Sequence, residues 1–222
     1  MTGPLQFRSC AALAAVLAAG GFLGGCRSAY YSTMEKFGVY KRDILVDRVQ
    51  EGKESQAEAQ EQFQTTFERF KAIAGIDLGE LEDPYRKFEA AYEDCVDDAQ
   101  DVRDKIESIE TVAKDLFTEW EDEIEEIHSP DLQRRSRESL MQTAKRYEQL
   151  IAVLHRAADK MEPVLLSFKD HVLFLKHNLN ARAIASLDPT VDTIEGDVER
   201  LIADMQAAIR EAEAFIGSMQ GS

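Results

Sequence analysis

Residues 81–127 read LEDPYRKFEAAYEDCVDDAQDVRDKIESIETVAKDLFTEWEDEIEEI. Within them Leu81, Phe88, Cys95, Val102, Ile109 and Leu116 recur every seventh position, and Tyr85, Tyr92, Ala99, Ile106, Ala113, Trp120 and Ile127 form a second row between the first. Alternating steps of four and three hold both rows on one side of an α-helix, so the stretch reads as a long helix packed along a single apolar seam. Cys95 falls inside the seam and reads as a small core residue rather than a reactive thiol.

Two more segments carry the same pattern. One runs through Leu140, Ala144, Tyr147, Ile151, Leu154, Ala158, Met161, Leu165, Phe168, Val172, Leu175 and Leu179; the other uses Val191, Ile194, Val198, Leu201, Met205, Ala208, Ala212, Phe215 and Met219. An N-terminal helix is written less clearly, because apolar clusters at Phe37 to Val49 and Phe63 to Ile73 flank a polar run from Gly52 to Gln62. That run is expected to be the most exposed or mobile part of its helix. Asp83-Pro84, Ser129-Pro130 and Asp188-Pro189 each pair a favoured N-cap with a proline suited to the first helical position, so three helices are expected to start there. Pro163 lies inside a seam whose phase is the same on both sides, which predicts a kink and not a break. The helices expected are 30–74, 84–127, 130–187 and 189–219.

Charge suggests which helices are neighbours. Residues 77–127 hold 20 acidic and 5 basic side chains, whereas 130–187 hold 6 acidic and 10 basic. The few residues between them require an antiparallel return, which is expected to bring Arg134, Arg135 and Arg137 near Glu119, Glu121 and Glu123. The fourth helix, shorter than the third, is expected to cover only the part of it that follows roughly Arg156. The fold class is therefore all-α: an elongated antiparallel helical bundle with coiled-coil-like packing, three to four long helices, in one domain over 26–222.

The first 25 residues follow different rules. Arg8 is their one charge, Cys10 to Phe22 is a run of small and apolar residues, and Leu23-Gly24-Gly25-Cys26 closes it. This is the layout of a secretory signal, too short for a stable membrane span. The ending resembles the lipobox of bacterial lipoproteins, in which the cysteine is acylated and becomes the new N-terminus. The resemblance makes Cys26 the lipid anchor and the membrane a partner through that lipid; an ordinary cleaved signal or an uncleaved anchor helix is the other reading. Arg27 stands where an inner-membrane retention signal would place Asp, which favours the outer membrane, facing the periplasm. With 42 acidic against 26 basic residues and a net charge of -16, nucleic acid is not expected as a partner, because phosphate backbones are held by Lys and Arg.

Chemistry is sparsely written. No nucleotide-binding glycine loop, nucleophile elbow or Cys/His cluster occurs, and the four His are spread along the chain. Glu125-Glu126-Ile127-His128 has the Glu-x-x-His spacing of di-iron bundles but lacks the second copy such sites need. No catalytic residue, metal site or cofactor is expected. Two groups stand out as candidate interaction residues. His177, Asn178, Asn180 and Arg182 sit where the third seam closes, and form either a polar latch of the bundle or a docking site for a protein partner. Arg134, Arg135 and Arg137, with Lys36, Lys41 and Arg42 on the neighbouring helix, could face anionic headgroups near the membrane.

The lipobox, Tyr30 to Lys36, Lys41 to Val49 and His177 to Leu187 together resemble an uncharacterised bacterial domain-of-unknown-function family of helical lipoproteins. The resemblance spans essentially the whole chain after the signal, and it implies no activity or site residues. The expectation that remains is a non-enzymatic envelope lipoprotein serving as a helical scaffold or adaptor for envelope partners, homo-oligomers included; the alternative is a bundle that binds or shapes a lipid surface.

Overall fold

The computed structural model describes residues 40–75, 81–180, 184 and 186–221, and four helices account for nearly all of them. They are α1 (Lys41–Ala74), α2 (Glu82–Glu126), α3 (Pro130–His177) and α4 (Asp188–Gln220). No strand occurs among the described residues. α1 packs against α2 and α4, and α3 packs against the same two, so each helix has two neighbours around a shared interior. Cross-helix contacts set the direction of every pair. Lys41 bonds Glu119 while Gln62 bonds the Ala91 carbonyl; Glu110 meets His155 while Arg103 meets Glu162; Lys160 pairs with Asp204 while His171 reaches Thr190. Lys53 pairs with Glu213 while Lys71 pairs with Glu195. In each pair one number falls as the other rises, so all four interfaces are antiparallel. At ~1.5 Å per residue the 45 residues of α2 span about 68 Å and the 48 of α3 about 72 Å.

The seams become the core over most of their length, though Leu140, Ala144 and Tyr147 at the start of α3 and Leu179 beyond its end are only half-buried. Phe88, Cys95, Ala99, Val102, Ile106, Ile109, Ala113 and Leu116 of α2 are buried, and Ala91, Val112 and Ile124 widen the stripe beyond the two rows read from sequence. α3 buries Leu150, Leu154, Met161, Phe168 and Leu175, and the phase holds through Pro163, which sits exposed inside a continuous helix. An outward-facing proline costs one backbone hydrogen bond on the wet side, where water can replace it. The largest side chains gather near the α1–α2 turn: Phe88 lies 5.5 Å from Phe70 and 6.1 Å from Phe168, ring centre to ring centre, and Phe63 lies 6.4 Å from Phe168. Tilted and edge-on aromatic pairs of this kind add roughly 0.5–1.5 kcal/mol each beyond the area they bury.

The polar run of α1 departs from expectation. Gly52, Ser55, Gln56 and Ala59 are buried, Gln56 and Ala59 completely. The reason lies in their size and spacing. Gly52, Ser55 and Ala59 follow one another by three and four residues, so they share a face, and small side chains there let α1 come close to α2. A Cβ on Gly52 would stand 2.9 Å from Ile109 Cδ1. Ser55 donates to Asp101 Oδ2 at 2.8 Å, and Thr66 and Gln62 both donate to the Ala91 carbonyl at 2.9 Å, so these three polar groups find partners on α2.

The helix ends also differ in detail. α2 begins at Glu82 behind Leu81, and α4 at Asp188 behind Leu187, so neither Asp83 nor Asp188 is an N-cap. Ser129 does hold that position for α3, with Pro130 following, but no side-chain cap bond forms. Acidic Glu82 and Asp83 still sit in the first turn of α2, where they oppose the positive end of the helix dipole. α3 stops at His177, ten residues before the expected end, because Asn178 leaves helical geometry at φ -133° and ψ 46° and its side chain donates to the Phe174 carbonyl. α4 consequently turns back earlier and reaches further along α3, with Gly217, Ser218 and Gly221 beside Arg146 and Gln149 rather than stopping near Arg156.

Gly52→Val should lower unfolding free energy by about 1–3 kcal/mol, because the fully buried Ile109 side chain, whose Cδ1 stands 2.9 Å from the new Cβ, has to shift within a packed core to admit the added methyl groups. Ile109→Val removes the opposing Cδ1 and should recover part of that loss in the double variant. Urea melts of the two single variants and the double variant measure the coupling; simple additivity would contradict the close approach.

Candidate functional site

The residues that stood out in the sequence occupy opposite ends of α3. At its C-terminal end, His177 is exposed and Asn178 caps the helix, donating from its amide to the Phe174 carbonyl at 2.8 Å. Asn180 is exposed, and its backbone joins the turn by donating to the Asn178 carbonyl and accepting from Ile184. Arg182 lies outside the described residues. Asn178 is therefore a latch for its own helix end, while His177 is presented to solvent.

The histidine that ties this end together is one that periodicity passed over. His171 lies two turns before the cap, its Nδ1 donates to the Ser167 carbonyl at 2.7 Å, and its Nε2 is 3.3 Å from Thr190 Oγ1 on α4. Its ring stands edge-on to Phe70 of α1 at 4.7 Å. Thr190 in turn donates to the Leu187 carbonyl at 2.6 Å, so one imidazole connects three helices and the turn into α4. Seven residues separate His171 from the core position Val164, a spacing that could have placed it in the interior had apolar residues alone not been counted.

The outer side of the same end carries an apolar stripe. Leu166, Leu173 and Phe174, at i, i+7 and i+8, are 50%, 53% and 41% exposed. Large apolar side chains occur singly on most surfaces, but three on one helical face make a patch. Lys169, Lys176 and His177 lie exposed around it.

At the other end of α3 the three arginines are exposed but unequal. Arg134 pairs within its own helix with Asp131 and Glu138, at 2.7 and 2.8 Å, and Arg137 reaches Glu125 at 2.6 Å. Among the described residues Arg135 takes part in no ion pair. The expected contacts with Glu119, Glu121 and Glu123 are not made by these arginines: Glu119 is engaged by Lys41, and Arg42 lies 3.7 Å from Asp43. Arg134 finds acids one turn away on its own helix, while Arg137 crosses the hairpin to Glu125, the acid nearest the reversal. Lys36 lies outside the described residues, so the basic group does not form one uncompensated cluster among those described.

His128 is exposed with Nδ1 2.8 Å from the Glu126 carbonyl, while Glu125 faces Arg137, so the Glu-x-x-His spacing does not converge on a point. Among the described residues no group of three or more His, Cys, Asp or Glu is placed to hold a metal ion. Burial pushes the Cys95 thiol up to about 12, which leaves it a protonated core side chain at neutral pH. Cys26 lies outside the described residues. No helix among the described residues is long and apolar enough to cross a membrane.

Asn178→Ala should lower stability by about 0.5–1.5 kcal/mol through loss of the amide bond to Phe174, whereas His177→Ala should stay within about 0.5 kcal/mol of the parent. Thermal melts followed by circular dichroism separate the two; an effect of His177→Ala equal to that of Asn178→Ala would contradict the assignment of the latch to Asn178 alone.

Residues 30–219 match the model of a family described as protein of unknown function (DUF2959). No curated protein and no solved structure matches the chain. The match begins just after the signal-like segment and runs to the end of α4, taking in all four helices, and the chain therefore belongs to the DUF2959 family.

Proposed function

We propose that the chain is a non-enzymatic lipoprotein of the bacterial cell envelope, tethered through a lipid on Cys26 and serving as a helical scaffold or adaptor for a protein partner. The Leu-Gly-Gly-Cys ending of the signal-like segment supports the tether, and Arg27 supports the outer membrane, on its periplasmic face. One structural observation carries the adaptor reading: the exposed stripe of Leu166, Leu173 and Phe174 on a stretch of α3 whose opposite face, Val164, Leu165, Phe168, Val172 and Leu175, is buried in the core. Apolar anchors on a rigid helix supply the kind of surface on which a partner helix or groove docks. The lipid-surface alternative draws on Arg134, Arg135 and Arg137, and it loses weight because two of the three are already paired with carboxylates.

Two variants test the proposal in cells. Cys26→Ser should abolish lipid labelling and release the protein from the membrane fraction; retained labelling would overturn the tether. Leu166→Ser/Leu173→Ser should keep its melting temperature within a few degrees, since exposed positions tolerate polar substitution, and should lose the crosslinks that a photoreactive residue at position 170 forms in the parent. Crosslinks unchanged in the double variant would contradict the adaptor face.

A further inference from the structure

We infer that the middle of α1, residues 52 to 62, is a built-in opening point at which this helix separates locally from the bundle while the clusters on either side remain closed. The first observation is Gln56. It is completely buried, yet neither its amide nitrogen nor its amide oxygen has a hydrogen-bond partner, and the Gln60 amide oxygen one turn later is likewise unbonded. Buried amides are nearly always satisfied, because each unmade bond leaves the cost of dehydrating the group without return. Opening lets water reach both side chains, so the free energy of the open state is lowered at this segment and not elsewhere along α1.

Charge acts in the same direction at the same level. Ser55 meets Asp101 across the α1–α2 interface, which places Glu58, one turn on, beside the acidic face of α2. Asp98 there is held above the usual carboxylate range by burial and then by the negative charges of Glu58, Asp94, Asp101 and Asp97. Separation of the two helices relieves that repulsion. The apolar packing that resists separation is thin, since the buried residues of this segment are Gly52, Ser55, Gln56 and Ala59, and the bonds across to α2 from within it are those of Ser55 to Asp101 and Gln62 to the Ala91 carbonyl. Beyond the segment the situation reverses: Phe63, Phe67, Phe70 and Ile73 on one side, and Ile44, Leu45 and Val49 on the other, are all buried. A stretch with orphaned polar groups and small side chains between two apolar clusters is the arrangement that opens sub-globally.

Amide hydrogen exchange on the full chain, read by mass spectrometry, tests this. Amides of residues 52 to 62 should exchange at least tenfold faster than those of 63 to 73, at a rate insensitive to low urea. Gln56→Leu should slow the segment's exchange at least tenfold without changing that of 63 to 73. Glu58→Gln, which relieves the repulsion and leaves the core untouched, should slow it about threefold and serves if Gln56→Leu misfolds. Equal protection across 52 to 73, or exchange in 52 to 62 that neither variant slows, would overturn the inference.

Discussion

Each helix of this chain carries one long inward-facing apolar stripe, and these stripes can be hidden from water only against one another. The stripe of α2 is the most regular, and its residues Phe88 to Leu116 lie at the centre of what α1 and α3 cover. Everything else in the bundle follows from satisfying that stripe with short connections. α2 and α3 are joined by Ile127, His128 and Ser129, so they must run antiparallel. α4 must then return along α3, and it closes the ring on α1. The ion pairs decorate this arrangement. Most are exposed and contribute about 0–1 kcal/mol each, enough to favour one register over its neighbours and too little to build the fold.

The class of fold, the three long seams and the α2–α3 reversal are legible because each apolar stripe repeats turn after turn along its helix, and single exceptions do not erase it. Local features are less so. The sequence of α1 between Gly52 and Gln62 looks like a wet surface, yet it is buried, because close approach of two helices favours small residues that hydropathy counts as neutral or polar. The end of α3 is not legible, because Leu179 keeps the phase of the seam whereas the backbone leaves the helix at Asn178, whose side chain donates to the Phe174 carbonyl. Charge totals say which helices attract and nothing about which carboxylate lies within reach, so Arg137 meets Glu125 and not Glu119, Glu121 or Glu123.

The candidate site divides in a similar way. The tip residues were recognised as polar groups at a closing seam, but their order of importance was not visible. His171, which touches α1 and α4 and reaches the turn between α3 and α4 through Thr190, outranks the exposed His177. The apolar stripe of Leu166, Leu173 and Phe174 was hidden because Leu173 and Phe174 sit next to Val172 and Leu175, and an unbroken apolar run does not announce which of its members face outward. The functional proposal thus rests on two separate kinds of support: a sequence motif for the tether, and a surface for the partner.

The central structural claim is the order and direction of the four helices, and zero-length carbodiimide crosslinking with identification of the joined peptides tests it most directly. The account predicts amide links within one chain between Lys71 and Glu195, Lys160 and Asp204, and Lys53 and Glu213, the pairs that define the α1–α4 and α3–α4 interfaces. Links joining α4 acids to Lys105 or Lys114 of α2, or the same three links found only between separate copies, would contradict it.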